Sequence, residues 1–135
     1  MGRLLAIDYG KKRCGIAVSD PMKIIANGLT TVATHELFDW LKNYMSKEEV
    51  DVLIIGEPKK VTGEYSETMK YIEPFVNRVR KNFPTLKIEM VDERFTTKLA
   101  FQAMIDGGVK KHNRDNKNGT VDMVSATIIL QTYMG

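Results

Sequence analysis

Apolar residues follow two different spacings along this chain of 135 residues. Short runs rich in Val, Ile and Leu predict five strands, at residues 3–9, 13–19, 29–33, 50–56 and 87–91. Apolar residues three and four apart predict helices at about residues 35–48, 97–106 and 120–133, and one more after Ser66. The order β-β-β-α-β-α-β-α predicts one α/β domain over residues 1–135, a mixed sheet with helices on both faces.

Local signals refine several of these elements. The turn at residues 10–12 joins the first two strands into a hairpin, and Thr34 is the expected N-cap of the first helix. Pro74 falls within a helical pattern, which predicts a kink or a later helix start. Trp40 lies on an apolar helical face, which favours a place in the core over a base-stacking platform.

Composition describes an ordinary globular protein. Hydrophobic residues make up 43% and charged residues 27%, and the net charge of +3 permits a polyanionic partner without requiring one. No apolar run approaches the roughly 18 residues of a membrane span, and no secretory signal pattern is present. We therefore expect a cytoplasmic protein without a membrane partner, in which the single cysteine, Cys14, is a small buried residue.

Carboxylates occur where strands of the predicted sheet end. Asp8 ends the first strand, Glu57 ends the fourth, and the fifth ends at Asp92 and Glu93. Asp122 lies in the first turn of the final helix. Because the carboxyl ends of parallel strands meet at one edge of an open α/β sheet, we expect these acids to converge there.

A cluster of acids requires cations, since like charges repel. His35 and His112 are isolated, so the sequence offers no zinc-type ligand set, and oxygen-only ligands favour Mg²⁺ or Mn²⁺. Such a carboxylate site with two metal ions is typical of phosphodiester hydrolysis. Each acid alone also has a local explanation: a hairpin turn for Asp8, a solvated loop for Glu57, or the helix dipole for Asp122.

Basic residues surround the expected acidic edge. They are candidates for binding a phosphate backbone, with solvated loop charges as the alternative explanation. The candidates are Lys11, Lys12, Arg13, Arg94, Lys110, Lys111 and Arg114.

Three segments resemble the YqgF/RuvX family, bacterial relatives of Holliday-junction resolvases. They are IDYGKKRCGIAVSD at residues 7–20, VDERFTT at 91–97 and VDMVSATIILQ at 121–131. The resemblance implies an RNase H-like fold with sheet order 3-2-1-4-5, and a metal-dependent nuclease linked to maturation of the 5′ end of pre-16S rRNA. The acidic positions of the family correspond to Asp8, Asp92, Glu93 and Asp122.

One position departs from the family pattern. The family usually has Gly-Leu-Pro after the fourth strand, whereas this chain has Glu57 between Gly56 and Pro58. Related resolvases place a catalytic acid at the end of that strand. Glu57 is therefore either a further ligand or a neutral substitution, and it ranks below the other acids.

Other functions are also consistent with these residues. The protein can be a structure-selective Holliday-junction DNA resolvase, or a non-catalytic rRNA-binding assembly factor that keeps the acids without turnover. A nucleotide-binding protein of the actin/sugar-kinase type shares the Asp-x-Gly hairpin, but it needs two such domains, which 135 residues do not supply. The substrate is then pre-rRNA or branched DNA, and the protein a monomer or a homodimer.

Overall fold

Five strands and three helices make up the part of the chain that the computed structural model describes, residues 2–57, 69–92 and 120–134. The strands are β1 (Arg3–Asp8), β2 (Arg13–Ser19), β3 (Ala26–Ala33), β4 (Val50–Glu57) and β5 (Lys87–Asp92). The helices are α1 (Leu37–Lys47), preceded by a 3₁₀ turn at Thr34–Glu36, α2 (Met69–Asn82) and α3 (Thr120–Met134). None of these helices is long and apolar enough to span a bilayer.

The strands form one sheet in the order β3-β2-β1-β4-β5. Strand β2 pairs antiparallel with both β1 and β3, whereas β1 with β4 and β4 with β5 pair in parallel. This mixed sheet confirms the α/β class and the 3-2-1-4-5 order that the resemblance implied. The parallel half follows from the helical connections, because a parallel pair cannot be joined by a tight turn.

The two faces of the sheet carry separate hydrophobic clusters. Successive strand residues point to opposite faces. In β1, Leu5 and Ile7 belong to the cluster that contains the apolar residues of α1 and α2, whereas Leu4 and Ala6 pack with those of α3. The predicted arrangement with helices on both faces is therefore confirmed, and the side of each β1 residue is fixed by this alternation.

Helix α3 packs across β1, β2 and β3. Its buried residues Ala126, Ile129 and Leu130 lie in the same cluster as Ala6 and Ala17 of the strands beneath it. Small side chains on both sides of a contact allow a helix to approach a sheet closely. This close approach governs where the first turn of α3 lies.

Two details of the sequence interpretation were wrong. Thr34 does not cap a helix through its side chain, because no such hydrogen bond forms at the start of the 3₁₀ turn or of α1. Strand β3 begins at Ala26 rather than at residue 29, since its first residues pair with the end of β2. Trp40 packs against the core and stacks on Tyr44, with ring centroids 5.2 Å apart, as predicted.

Of the two remaining helix predictions, one falls largely on residues that the structure describes and the other does not. Helix α2 contains Pro74 in its second turn and buries the apolar residues that were expected, among them Ile72, Val76 and Val79. The helix predicted at residues 97–106 lies outside the described residues, as does Ser66.

Two carboxylates fix the loop between β2 and β3. Asp20 accepts hydrogen bonds from the backbone N–H groups of Met22, Ile24 and Ile25 at 2.7–3.0 Å. Asp51, at the start of β4, accepts one from Lys23 Nζ at 2.8 Å. The hydrogen bonds from the backbone, that from Ile25 foremost, lower the pKa of Asp20, and the bond from Lys23 lowers the pKa of Asp51.

Because of these two carboxylates, the stability of the fold should depend on pH in the acid range. Because both pKa values are lower when folded, their stabilisation is present above the ordinary pKa of about 3.9 and is lost as the pH falls through the folded-state value. The melting temperature of the wild type should therefore fall more between about pH 5 and pH 3 than that of an Asp20→Asn/Asp51→Asn variant. An equal fall in the melting temperatures of the two proteins over this pH range would contradict the prediction.

Candidate active site

Asp8 and Asp122 are brought together by the contact between helix α3 and the first hairpin. Asp8 follows Ala6 by two residues, so the alternation of β1 places it on the α3 face. Across the hairpin, Asp8 is the register partner of Gly15. A Cβ atom built on Gly15 would overlap the backbone carbonyl of Asp122 and lie 2.8 Å from its Cβ. The first turn of α3 therefore rests directly on the residue opposite Asp8.

Arg13 forms an ion pair with Asp122. Its Nε atom lies 3.1 Å from Oδ2, and the side chains are 42% exposed for Arg13 and 19% exposed for Asp122. The sequence predicted that Arg13 contacts nucleic acid but gave no sign of this pairing. At such exposure an ion pair contributes at most about 1 kcal/mol to stability.

The pKa of the Cys14 thiol depends on the charges of Asp8 and Asp122. Burial raises its pKa most, hydrogen bonds with Thr34 and Gly10 lower it, and the negative charges of Asp8 and Asp122 raise it. The net rise favours the protonated thiol at neutral pH, which argues against an activated thiolate nucleophile. Cys14 is buried, as expected.

The turn that carries the basic residues of the hairpin is held by Thr34. Its Oγ1 donates a hydrogen bond to the carbonyl of Gly10 at 2.7 Å, and its backbone N–H donates to Lys12 at 2.9 Å. Lys11 and Lys12 are exposed at the tip of this turn, and Lys11 Nζ lies 5.8 Å from the centroid of the Tyr71 ring. The cations are therefore held next to the end of β1.

The ends of β4 and β5 lie at the same sheet edge. Glu57 and Asp92 are Cα partners in the parallel register, and Ile7 of β1 pairs with Ile55 of β4. The backbone thus delivers the ends of three adjacent strands to one edge, as predicted. Several predicted site residues lie outside the described residues, and their roles stay predictions: the side chains of Glu57 and Asp92, and all of Glu93, Arg94, Lys110, Lys111 and Arg114.

The described part of this edge fits a hard divalent cation. Asp8 and Asp122 offer oxygen ligands only, which is the donor type that Mg²⁺ and Mn²⁺ prefer. Among the described side chains, no group of three or more His, Cys, Asp or Glu is placed to hold a metal ion. A set of three or more carboxylate ligands would therefore include acids beyond the described side chains, as the sequence predicts for Asp92 and Glu93.

Sequence comparison relates nearly the whole chain to one protein family. A family model described as "RuvX: Holliday junction resolvase" matches residues 2–135. A protein of Phocaeicola vulgatus named "Putative pre-16S rRNA nuclease" is 58% identical over 134 residues, which are 99% of this chain and 96% of that protein. A protein of Flavobacterium psychrophilum with the same name is 54% identical over 99% of this chain and 97% of its own.

Solved structures with the same fold include two resolvases. The fowlpox virus Holliday junction resolvase superimposes with a TM-score of 0.56 at 16% identity, over 98% of this chain and 97% of that one. T. thermophilus RuvC in complex with a Holliday junction substrate gives 0.56 at 12% identity, over 100% and 97%. At these identities the likeness concerns the fold alone, and it confirms the RNase H-like architecture.

Replacing Gly15 should separate Asp122 from Asp8. We expect Gly15→Ala to lower the free energy of unfolding by about 1–3 kcal/mol, because the added methyl group collides with the backbone of α3. Gly28→Ala is the matched control, since its Cβ would meet Thr127 Oγ1 at 3.4 Å and Met123 Cβ at 3.6 Å, which are ordinary contacts. Denaturant unfolding measures both changes, and equal effects of the two substitutions would contradict the close approach.

Proposed function

The chain belongs to the RuvX family, and from that premise we propose that it is a metal-dependent nuclease that hydrolyses phosphodiester bonds in processing the 5′ end of pre-16S rRNA. The names of relatives at 50–58% identity support the rRNA substrate. The observation that carries the proposal is the contact of α3 with Gly15, which brings Asp122 to the end of β1 beside Asp8.

The acids have assigned roles in this proposal. Asp8, Asp92, Glu93 and Asp122 would hold Mg²⁺ or Mn²⁺, and Glu57 is an additional acid at the same edge. A bound ion would supply Lewis acidity, both for activation of a water molecule and for stabilisation of charge on the leaving oxygen. Asp8 ends β1, a central strand of the sheet, and its backbone pairs with that of Gly15 in β2. No side-chain nucleophile is required, in keeping with the protonated state of Cys14.

The cations bind and orient the substrate strand. Lys11 and Lys12 project from the turn that Thr34 holds, where they can neutralise backbone phosphates. Arg13 binds the strand as well, and its ion pair also orients the carboxylate of Asp122. We assign Arg94, Lys110, Lys111 and Arg114 to phosphate binding from the sequence. The partner is then cytoplasmic pre-rRNA, bound by a monomer or a homodimer.

Branched DNA is the second candidate substrate. The family description favours it, whereas the names of relatives at 50–58% identity favour rRNA. A panel of single-stranded RNA, pre-rRNA fragments and four-way junction DNA, each with Mg²⁺ or Mn²⁺, separates the two. Binding to pre-rRNA without cleavage of any substrate would instead identify a non-catalytic assembly factor.

Asp8→Asn should reduce metal-dependent cleavage to background without loss of the fold, because it removes a charged ligand but keeps the shape of the side chain. The matched control is Asp39→Asn, the same substitution at an exposed position on α1, which should cleave like the wild type. Circular dichroism verifies the fold of both variants. Full activity of Asp8→Asn would refute the assignment.

Arg13 and Lys12 should differ in what they contribute. Lys12→Ala should weaken binding and lower the slope of log Kd against log salt by roughly 0.7 for a single strand, because one phosphate contact is lost. Arg13→Ala should lower kcat as well, since Asp122 loses the cation that holds it. If Arg13→Ala changed only the salt slope, the ion pair would have no part in arranging the site.

A further inference from the structure

A concave site lies beside the acidic edge, on the opposite face of the sheet. It is a cavity of about 260 Å³ between the end of β1, the 3₁₀ turn and helices α1 and α2. Its lining includes the aromatic residues Tyr9, Phe38, Tyr71 and Phe75 and the guanidinium of Arg78. The volume is just below the roughly 300–1,000 Å³ of sites for whole small molecules, which suits a single flat ring system.

The side chains of this cavity are arranged as a stacking site. The rings of Tyr9 and Phe75 both line it, with centroids 5.6 Å apart at 43°. The Arg78 guanidinium lies 3.8 Å from the centroid of the Phe38 ring. Tyr71 is 51% exposed, although tyrosine carries a large apolar ring. Exposed aromatic rings and a guanidinium already lying over an aromatic ring are the surfaces on which unpaired nucleobases stack.

The cavity adjoins the proposed reaction site through the backbone. Tyr9 directly follows Asp8, and strand alternation places them on opposite faces of the same sheet edge. Lys11, a predicted phosphate ligand, lies over the Tyr71 ring at the rim. A nucleic-acid strand that crosses this edge can therefore place a phosphate on the Asp8 side, its backbone near Lys11, and a neighbouring base in the cavity.

We propose that this cavity binds one unpaired nucleobase next to the phosphodiester that is cleaved, and that it thereby restricts the enzyme to single-stranded segments. The inference rests on the proposed nuclease function. A base inside a duplex is stacked between its neighbours and cannot enter. Stacking discriminates little between bases, so the site selects strand structure rather than sequence.

The test measures binding in EDTA, so that it does not depend on cleavage. Short single-stranded RNAs carry 2-aminopurine at one position at a time, and the same RNAs are used as duplexes. Tyr71→Ala and Arg78→Ala remove the stacking surfaces, and Tyr71→Phe keeps the ring. Lys70→Ala and Arg80→Ala are controls on the same helix α2 that do not line the cavity. Melting temperatures verify that each variant is folded.

The wild type should quench 2-aminopurine at one position of the single strand. Tyr71→Ala should abolish that quenching and weaken single-strand binding at least about fivefold, while duplex binding changes little. Arg78→Ala should do more than Arg80→Ala, and Tyr71→Phe should behave like the wild type.

Three results would overturn the base-binding site. Tyr71→Ala could weaken binding of single strands and duplexes equally, or it could have no effect on binding. The third result is a wild type that does not bind single strands. Cleavage by the wild type with an unaffected Tyr71→Ala would leave the nuclease function in place and remove only this site. Position-specific quenching without any cleavage would retain the site and reject the nuclease function.

Discussion

The close contact between the first turn of α3 and Gly15 is the constraint on which the candidate site depends. Residues 8 and 122 are far apart along the chain, and only the missing side chain at position 15 lets the helix backbone approach the hairpin. The small residues Ala6 and Ala17 continue this approach along the sheet. The packing of the apolar face of α3 thus sets the distance between the negative charges of Asp8 and Asp122. These charges repel each other, and Arg13 reduces the repulsion. The same repulsion favours the binding of further cations.

The two faces of the sheet edge have different roles in the proposed function. The α3 face carries Asp8 and Asp122, the proposed metal ligands, and the opposite face carries aromatic rings. The turn after β1 serves both faces, because Thr34 fixes it and it presents Lys11 beside Tyr71 and Arg13 beside Asp122. A single short turn therefore adjoins both the exposed lysines and the ion pair of Asp122.

The sequence predicted what depends on local pattern and strand order. Strand β2 was predicted with its observed bounds, because an apolar run follows a turn, and the shared edge followed from the acids at strand ends. The early part of β3 was missed, since Asn27 and Gly28 favour turns and become strand only by pairing with β2. The pairing of Arg13 with Asp122 depends on helix placement, which no local pattern encodes.

The central claim is that Asp8 and Asp122 share a divalent ion. A double-mutant cycle on Mn²⁺ affinity, measured by electron paramagnetic resonance with Asp8→Asn, Asp122→Asn and the double variant, tests it without any substrate. The account predicts strong coupling: each single substitution weakens Mn²⁺ binding, and the second adds little, with a coupling energy of at least about 1 kcal/mol. Additive effects of the two substitutions would show that the carboxylates act on separate ions and would contradict the account.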